Sequence, residues 1–149
     1  MLSGMLPASS NGCVIDTHTW LFAMGGSDER IGRKARRVLA DAVAVKVPAI
    51  CQWEVAMLVG QGRITLNQPT RDWLVVAGSV EPFTVHPLTA DVATACVELG
   101  EEGFHADPAD RLIYATARVL NLPLLTGDER IRQFERSRPK SRTRHVIWD

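Results

Sequence analysis

The sequence predicts a single α/β domain, a three-layer α/β/α sandwich on a parallel sheet of short strands. Three observations predict it. Short, largely apolar runs, Cys13-Val14-Ile15, Val45-Lys46-Val47-Pro48 and Pro123-Leu124-Leu125-Thr126, alternate with segments of helical apolar spacing, the pattern of βα units. Two of these runs lead straight into acids, Asp16 and Gly127-Asp128-Glu129, as buried parallel strands do where they meet solvent. The chain of 149 residues, 46% hydrophobic and 23% charged, suits one domain with a sizeable core.

Taken in order, residues 1–12 lack a basic start and an apolar core segment, so they read as a flexible extension and not a signal peptide. The domain then spans 13–149. After the first strand, Trp20 to Ala23 form a short helix broken by Gly25-Gly26. Ser27 caps a helix from Asp28 to Val43, with Ile31, Ala35, Val38, Leu39 and Ala42 on one face and arginines on the other. The second strand feeds a largely buried helix, Ala49 to Val59, whose only acid is Glu54. Thr70 to Ala77 is a further helix, Phe83 to Val85 a short strand or extended connection, and Thr89 caps a helix over Ala90 to Glu98. Pro108 starts a helix that Asn121 stops in the left-handed conformation. Thr126 and Glu129 read as a capping box for a helix over Glu129 to Glu135, a basic loop follows from Arg138 to Arg144, and His145 to Trp148 form the last strand.

Lys plus Arg equals Asp plus Glu at 17 each, so net charge implies no polyanionic or membrane partner. Local charge does more. Arg30, Arg33, Lys34, Arg36 and Arg37 cluster early and seven basic residues from Arg130 to Arg144 cluster late, around an acidic middle, an asymmetry that guides a polyanion toward a bound cation. Cys13, Cys51 and Cys96 are widely spaced among apolar neighbours and read as buried free thiols of a reducing, cytoplasmic protein. The four histidines make no zinc spacing, and no run of about 18 apolar residues is present to span a membrane.

The acids carry the chemistry. In His105-Ala106-Asp107-Pro108-Ala109-Asp110-Arg111, Asp107 is the helix N-cap and Asp110 lies one turn inside, so two carboxylates crowd one helix N-terminus. Taken alone, the pair is a capping arrangement. Asp16 and Asp128 at strand ends and Glu54 on an apolar helix can face the same edge of a parallel sheet, where ligands of open α/β folds gather. Converging carboxylates repel unless a cation holds them, and an all-oxygen set selects Mg²⁺ or Mn²⁺. Such ions bind phosphate oxygens and activate water, which points to phosphodiester hydrolysis.

Ile15-Asp16-Thr17, Trp53-Glu54-Val55, His105-x-Asp107-Pro108-x-Asp110-Arg111 with Ala115-Thr116-Ala117, and Leu125-Thr126-Gly127-Asp128 resemble, in order, the acidic motifs of PIN-domain ribonucleases, most closely VapC-type toxins. The resemblance covers Cys13 to Trp148. It implies a Mg²⁺- or Mn²⁺-dependent endoribonuclease acting on RNA, silenced by a small cognate antitoxin and forming a homodimer. It implies catalytic and metal-binding roles for Asp16, Glu54, Asp110 and Asp128, with Asp107 shared between capping and metal. Thr126 resembles the hydroxyl that supports the acids, and Arg111 pairs with a site carboxylate or grips phosphate. Gly127 departs from the pattern, standing where a bulkier, often basic residue is common. His105 is expected to fix a loop, His18 to make local hydrogen bonds, and Trp20 and Trp53 to lie in the core.

Other readings fit less well. A phosphoaspartyl phosphatase wants a second Asp two residues after the first, where this chain has His18. A phospho-receiver domain wants a Lys after a late strand, where Gly127-Asp128 stand. A PIN-like protein- or RNA-binding module without nuclease activity is the remaining alternative, and the retained acids argue against it.

Overall fold

A computed structural model describes residues 11–149. The expected extension therefore falls mostly outside the described residues, and its last member, Gly12, belongs to the first strand. Strands β1 (Gly12–Ile15), β2 (Ala44–Pro48), β3 (Phe83–His86), β4 (Leu124–Leu125) and β5 (Val146–Ile147) form one parallel sheet in the order β3-β2-β1-β4-β5. Helices α1 (Thr17–Met24), α2 (Arg33–Asp41), α3 (Ala49–Gly60), α4 (Thr70–Ala77), α5 (Ala90–Glu101), α6 (Pro108–Leu120) and α7 (Glu129–Ser137) connect them. From β1 the chain first moves outward through β2 and β3, then returns to β4 on the other side of β1. Right-handed crossovers in opposite directions put helices on both faces, the expected three-layer sandwich. They also make the carboxyl ends of β1 and β4 the point where strand order reverses, the usual place for a ligand site.

Local signals account for most elements. Asp107 caps α6 by accepting from Ala109 N at 2.9 Å, Pro108 opens it, and Asn121 ends it at φ 53°. Thr89 caps α5 through Val92 N at 3.1 Å. The central strands are fully buried: Cys13, Val14, Ile15, Val45, Val47, Leu124 and Leu125 are each 0% exposed. Trp20 lies in the core as expected, its indole donating to Ala77 O at 3.1 Å and packing 5.0 Å from Trp73. No helix among the described residues is long and apolar enough to cross a membrane.

Several expectations are corrected. The helix foreseen from Asp28 to Val43 is a 3₁₀ turn, Asp28–Arg30, then α2, and Ser27 makes no side-chain cap bond. The break is at Gly32, whose backbone lies so close to the last strand that a Cβ there would sit 2.2 Å from Trp148 O. The capping box of Thr126 and Glu129 does not form: Asp128 caps α7 through Ile131 N at 3.0 Å, and Thr126 is turned toward Asp16. Helix α3 is only half buried, through Cys51, Val55 and Leu58, and Trp53 is 57% exposed instead of core. Cys13 and Cys51 are buried thiols as expected, whereas Cys96 is partly exposed. Burial pushes the Cys13 thiol up to about 12, so it packs as a small apolar group.

Candidate active site

The acids arrive on separate parts of the fold, Asp107 and Asp110 together at the start of α6, and each is fixed by neighbours of its own. Asp16 leaves β1 and caps α1; its Oδ1 accepts from Thr19 N at 2.9 Å and its Oδ2 from the Thr126 hydroxyl at 2.5 Å. The Thr126 oxygen in turn accepts from Asp128 N at 3.0 Å. One hydroxyl thus joins the acids at the ends of β1 and β4. Glu54 on α3 accepts from the Thr17 hydroxyl, which stands next to Asp16 in the chain. Asp110 pairs with His105 at 2.7 Å, and Asp107 uses only Oδ1 for its capping bonds.

The electrostatics show how these groups face one another. Burial pushes Asp16 up from its ordinary range, against the lowering effect of the Thr126 and Thr19 donors. Burial also raises Glu54, and the negative charges of Asp110 and Asp107 raise it further. Asp110 is raised by burial first, with His105 opposing and Asp128 and Asp107 adding repulsion. The Cys51 thiol is driven up mainly by burial, and the charges of Asp16, Glu54 and Asp110 raise it further. The only ion-pair partner of these five acids among the described residues is His105. Their side chains do not close into a finished ligand cage: among the described residues no three of His, Cys, Asp and Glu are gathered tightly enough to hold one ion. As a donor set they fit Mg²⁺ or Mn²⁺, being hard oxygens with mutual repulsion left unneutralised.

Sign matters for stability. A carboxyl raised in the folded state contributes stability that is full below its unfolded value, 4.5 for Glu54, and is lost as pH rises through the folded value. Charged Glu54 is therefore a cost at neutral pH. We expect Glu54→Gln, which still accepts from Thr17, to melt higher than the wild type at pH 7 in metal-free buffer. The gap should shrink toward zero as pH approaches 4.5. Thermal melts of both proteins between those pH values check this; a gap independent of pH would contradict it.

The neighbours have clear tasks. Arg111 meets no carboxylate among the described residues; its guanidinium donates to His105 O at 2.8 Å and Phe104 O at 2.9 Å, clamping the loop that carries His105. Gly100 makes room for that clamp, since a Cβ there would lie 2.7 Å from Arg111 Nη1. His105 stacks on Phe104 at 4.4 Å, so it fixes Asp110 from a held position. His18 is exposed, and the structure gives it no hydrogen bond among the described residues, contrary to expectation. It lines, with Asp16, Thr19, Phe22, Gly127, Asp128 and Trp148, a cleft of about 250 Å³. The aromatic wall of that cleft, Phe22 and Trp148, was not foreseen. Trp148 is far in sequence from Asp16, Glu54, Asp107, Asp110 and Asp128, and only the seating of β5 beside β4 brings it there.

The PIN domain family model matches residues 13–137. This chain is a PIN domain. It is 34% identical over 127 residues to Ribonuclease VapC22 of Mycobacterium tuberculosis, covering 85% of this chain and 94% of that protein. Two solved structures share the PIN-domain fold. One is a toxin-antitoxin complex from Klebsiella pneumoniae, with TM-score 0.52 and 22% identity over 78% of this chain and 86% of the other. The other is VapBC2 from Rickettsia felis bound to a DNA fragment from their promoter, with TM-score 0.59 and 14% identity over 93% and 99%. At those identities the two structures speak to the fold alone.

Proposed function

We propose that this PIN domain is a divalent-metal-dependent endoribonuclease, the toxin of a toxin-antitoxin pair. The observation that carries the reading is the set of five carboxylates, Asp16, Glu54, Asp107, Asp110 and Asp128, at one sheet edge with His105 as their only ion-pair partner among the described residues. The 34% identity to Ribonuclease VapC22 supports it. Asp16, Glu54, Asp110 and Asp128 would hold Mg²⁺ or Mn²⁺, with Asp107 lending its second oxygen. The bound ion supplies charge neutralisation at a phosphate and a water acidic enough to act as nucleophile. The chain's own part is positional. Thr126 engages one oxygen of Asp16 and the Thr19 N–H the other, His105 aims Asp110, and Arg111 holds the loop that carries His105.

The substrate is RNA, the inhibitor a small cognate antitoxin, and the working form a homodimer in the cytoplasm, where free thiols such as Cys13 and Cys51 persist. Expression of the wild type and Asp16→Asn in a bacterial host, with mapping of new RNA 5′ ends, tests the reading. Growth arrest with discrete cleavage sites for the wild type alone is the expected result; the same RNA ends from both proteins would overturn it.

A further inference from the structure

We infer that Trp148 is a base-stacking platform at the mouth of the acidic cleft, and that the basic groove behind it carries the phosphates of flanking nucleotides. The inference rests on the ribonuclease reading and assigns that site a binding surface. Trp148 lines two spaces at once. On one side is the cleft with Asp16 and Asp128; on the other is a groove of about 650 Å³ whose lining includes Lys34, Arg132, Arg136 and Arg144. These cations come from the early and late basic clusters of the chain, which the fold brings to one groove.

The placement of the indole is built. A Cβ on Gly127 would lie 2.6 Å from the indole ring, and one on Gly32 would lie 2.2 Å from Trp148 O. Neither glycine is in the left-handed region, so each is there for room and not for backbone freedom. Gly127, the residue that departs from the family's usual pattern, is thus the space into which the indole fits. The backbone of Trp148 is pinned as well, its carbonyl accepting from Ala35 N at 3.0 Å. A partly exposed, immobilised aromatic face beside the reacting end of the sheet is the arrangement on which a single-stranded base stacks.

The groove retains positive charge. Arg144 donates to the backbone carbonyls of Glu135 and Arg138, which leaves its charge unneutralised. Lys34 makes no ion pair among the described residues. Glu135, the buried acid in the lining, is turned inward and saturated by the Tyr114 hydroxyl and two backbone N–H groups. Arg132 and Arg136 are partly spent on Asp149 and Glu129, so Lys34 and Arg144 carry the excess. An acidic cleft followed by an aromatic and then by cations orders a strand: the cut phosphate at the acids, the adjoining base on Trp148, the next phosphates beyond.

The test uses a mixed-sequence single-stranded oligoribonucleotide. With Mn²⁺, Trp148→Leu should raise KM about tenfold with a smaller change in kcat, and Trp148→Phe should restore most of the loss. Gly127→Ala, which pushes the indole aside, should raise KM in the same way. On an Asp110→Asn background, where RNA is not cut, Lys34→Ala should weaken binding and reduce the slope of log K against log salt by about 0.7, one phosphate contact on a single strand. That slope is independent of any effect of Trp148 variants on folding. Wild-type protein that cuts no RNA would overturn the ribonuclease reading itself. Cutting with unchanged KM in Trp148→Leu, or an unchanged salt slope in Lys34→Ala, would overturn this assignment alone. Loss of antitoxin binding with unchanged RNA KM in Trp148→Leu would give the surface to the antitoxin, and equally overturn it.

Discussion

Asp110→Asn is expected to lower the rate of RNA cleavage by about a thousandfold while the protein stays folded. Asparagine keeps an oxygen for the 2.7 Å contact with His105, so the first turn of α6 and its loop are retained. What is removed is a negative charge from a set whose members already repel, since Asp128 and Asp107 both act on Asp110. The loss is therefore one of cation binding and charge stabilisation at the phosphate, where single groups are worth about two to three orders of magnitude. Melting temperature should hold or rise. A gel assay of a labelled RNA and a thermal melt on the same samples check both halves, and retained cleavage would remove Asp110 from the site.

Glu135→Ala is expected to have the largest effect on stability. Glu135 is 5% exposed, and it accepts from Tyr114 Oη at 2.7 Å, His145 N at 2.8 Å and Val146 N at 2.8 Å. Those bonds tie α6, α7 and the start of β5 together. Alanine leaves two buried donors and one half-buried donor without acceptors, a cost of about 3–5 kcal/mol when the losses couple. For a chain of this size that corresponds to a fall in melting temperature on the order of 10 °C. Glu135→Gln, which keeps one acceptor oxygen, should lose markedly less. Because Trp148 directly follows β5, Glu135→Ala should also weaken RNA binding beyond what its distance from the acids suggests. Equal melting temperatures for wild type and Glu135→Ala would mean that β5 is held by backbone pairing alone.

Where the determinants of an element are local, the sequence shows the element. Asp107-Pro108 and Asn121 delimit α6, and Thr70 to Ala77 form α4 as read. Asp16, Asp107, Asp110 and Asp128 could be named because each stands at a strand end or helix start, places that a parallel sheet brings to one edge, and Glu54 because it is the one acid of an apolar helix. The failures have long-range causes. Nothing near Gly32 shows that Trp148 will pass over it and break the helix there. Thr126 has the spacing of a capping box, but the carboxylate of Asp16 competes for its hydroxyl and wins. Nothing local sets Glu135 apart from its charged neighbours, because its partners Tyr114 and His145 come from other parts of the chain. Trp53 lies in an apolar run with no polar face to distinguish inside from outside, so only the packing of Cys51, Val55 and Leu58 reveals which side is covered. The platform at Trp148 was invisible for the same reason: its neighbours in sequence are not its neighbours in the cleft.

In the proposed ribonuclease, separate carboxylates act as one cation-holding unit for RNA hydrolysis. Titration of Mn²⁺ into the wild type and into the Asp16→Asn, Asp110→Asn double variant, followed by electron paramagnetic resonance of the free ion, measures this directly. Wild-type protein is expected to deplete free Mn²⁺, with RNA cleavage rising in parallel with the bound fraction, while the double variant does neither. Undiminished Mn²⁺ binding by the double variant, or full wild-type cleavage in excess chelator, would contradict it.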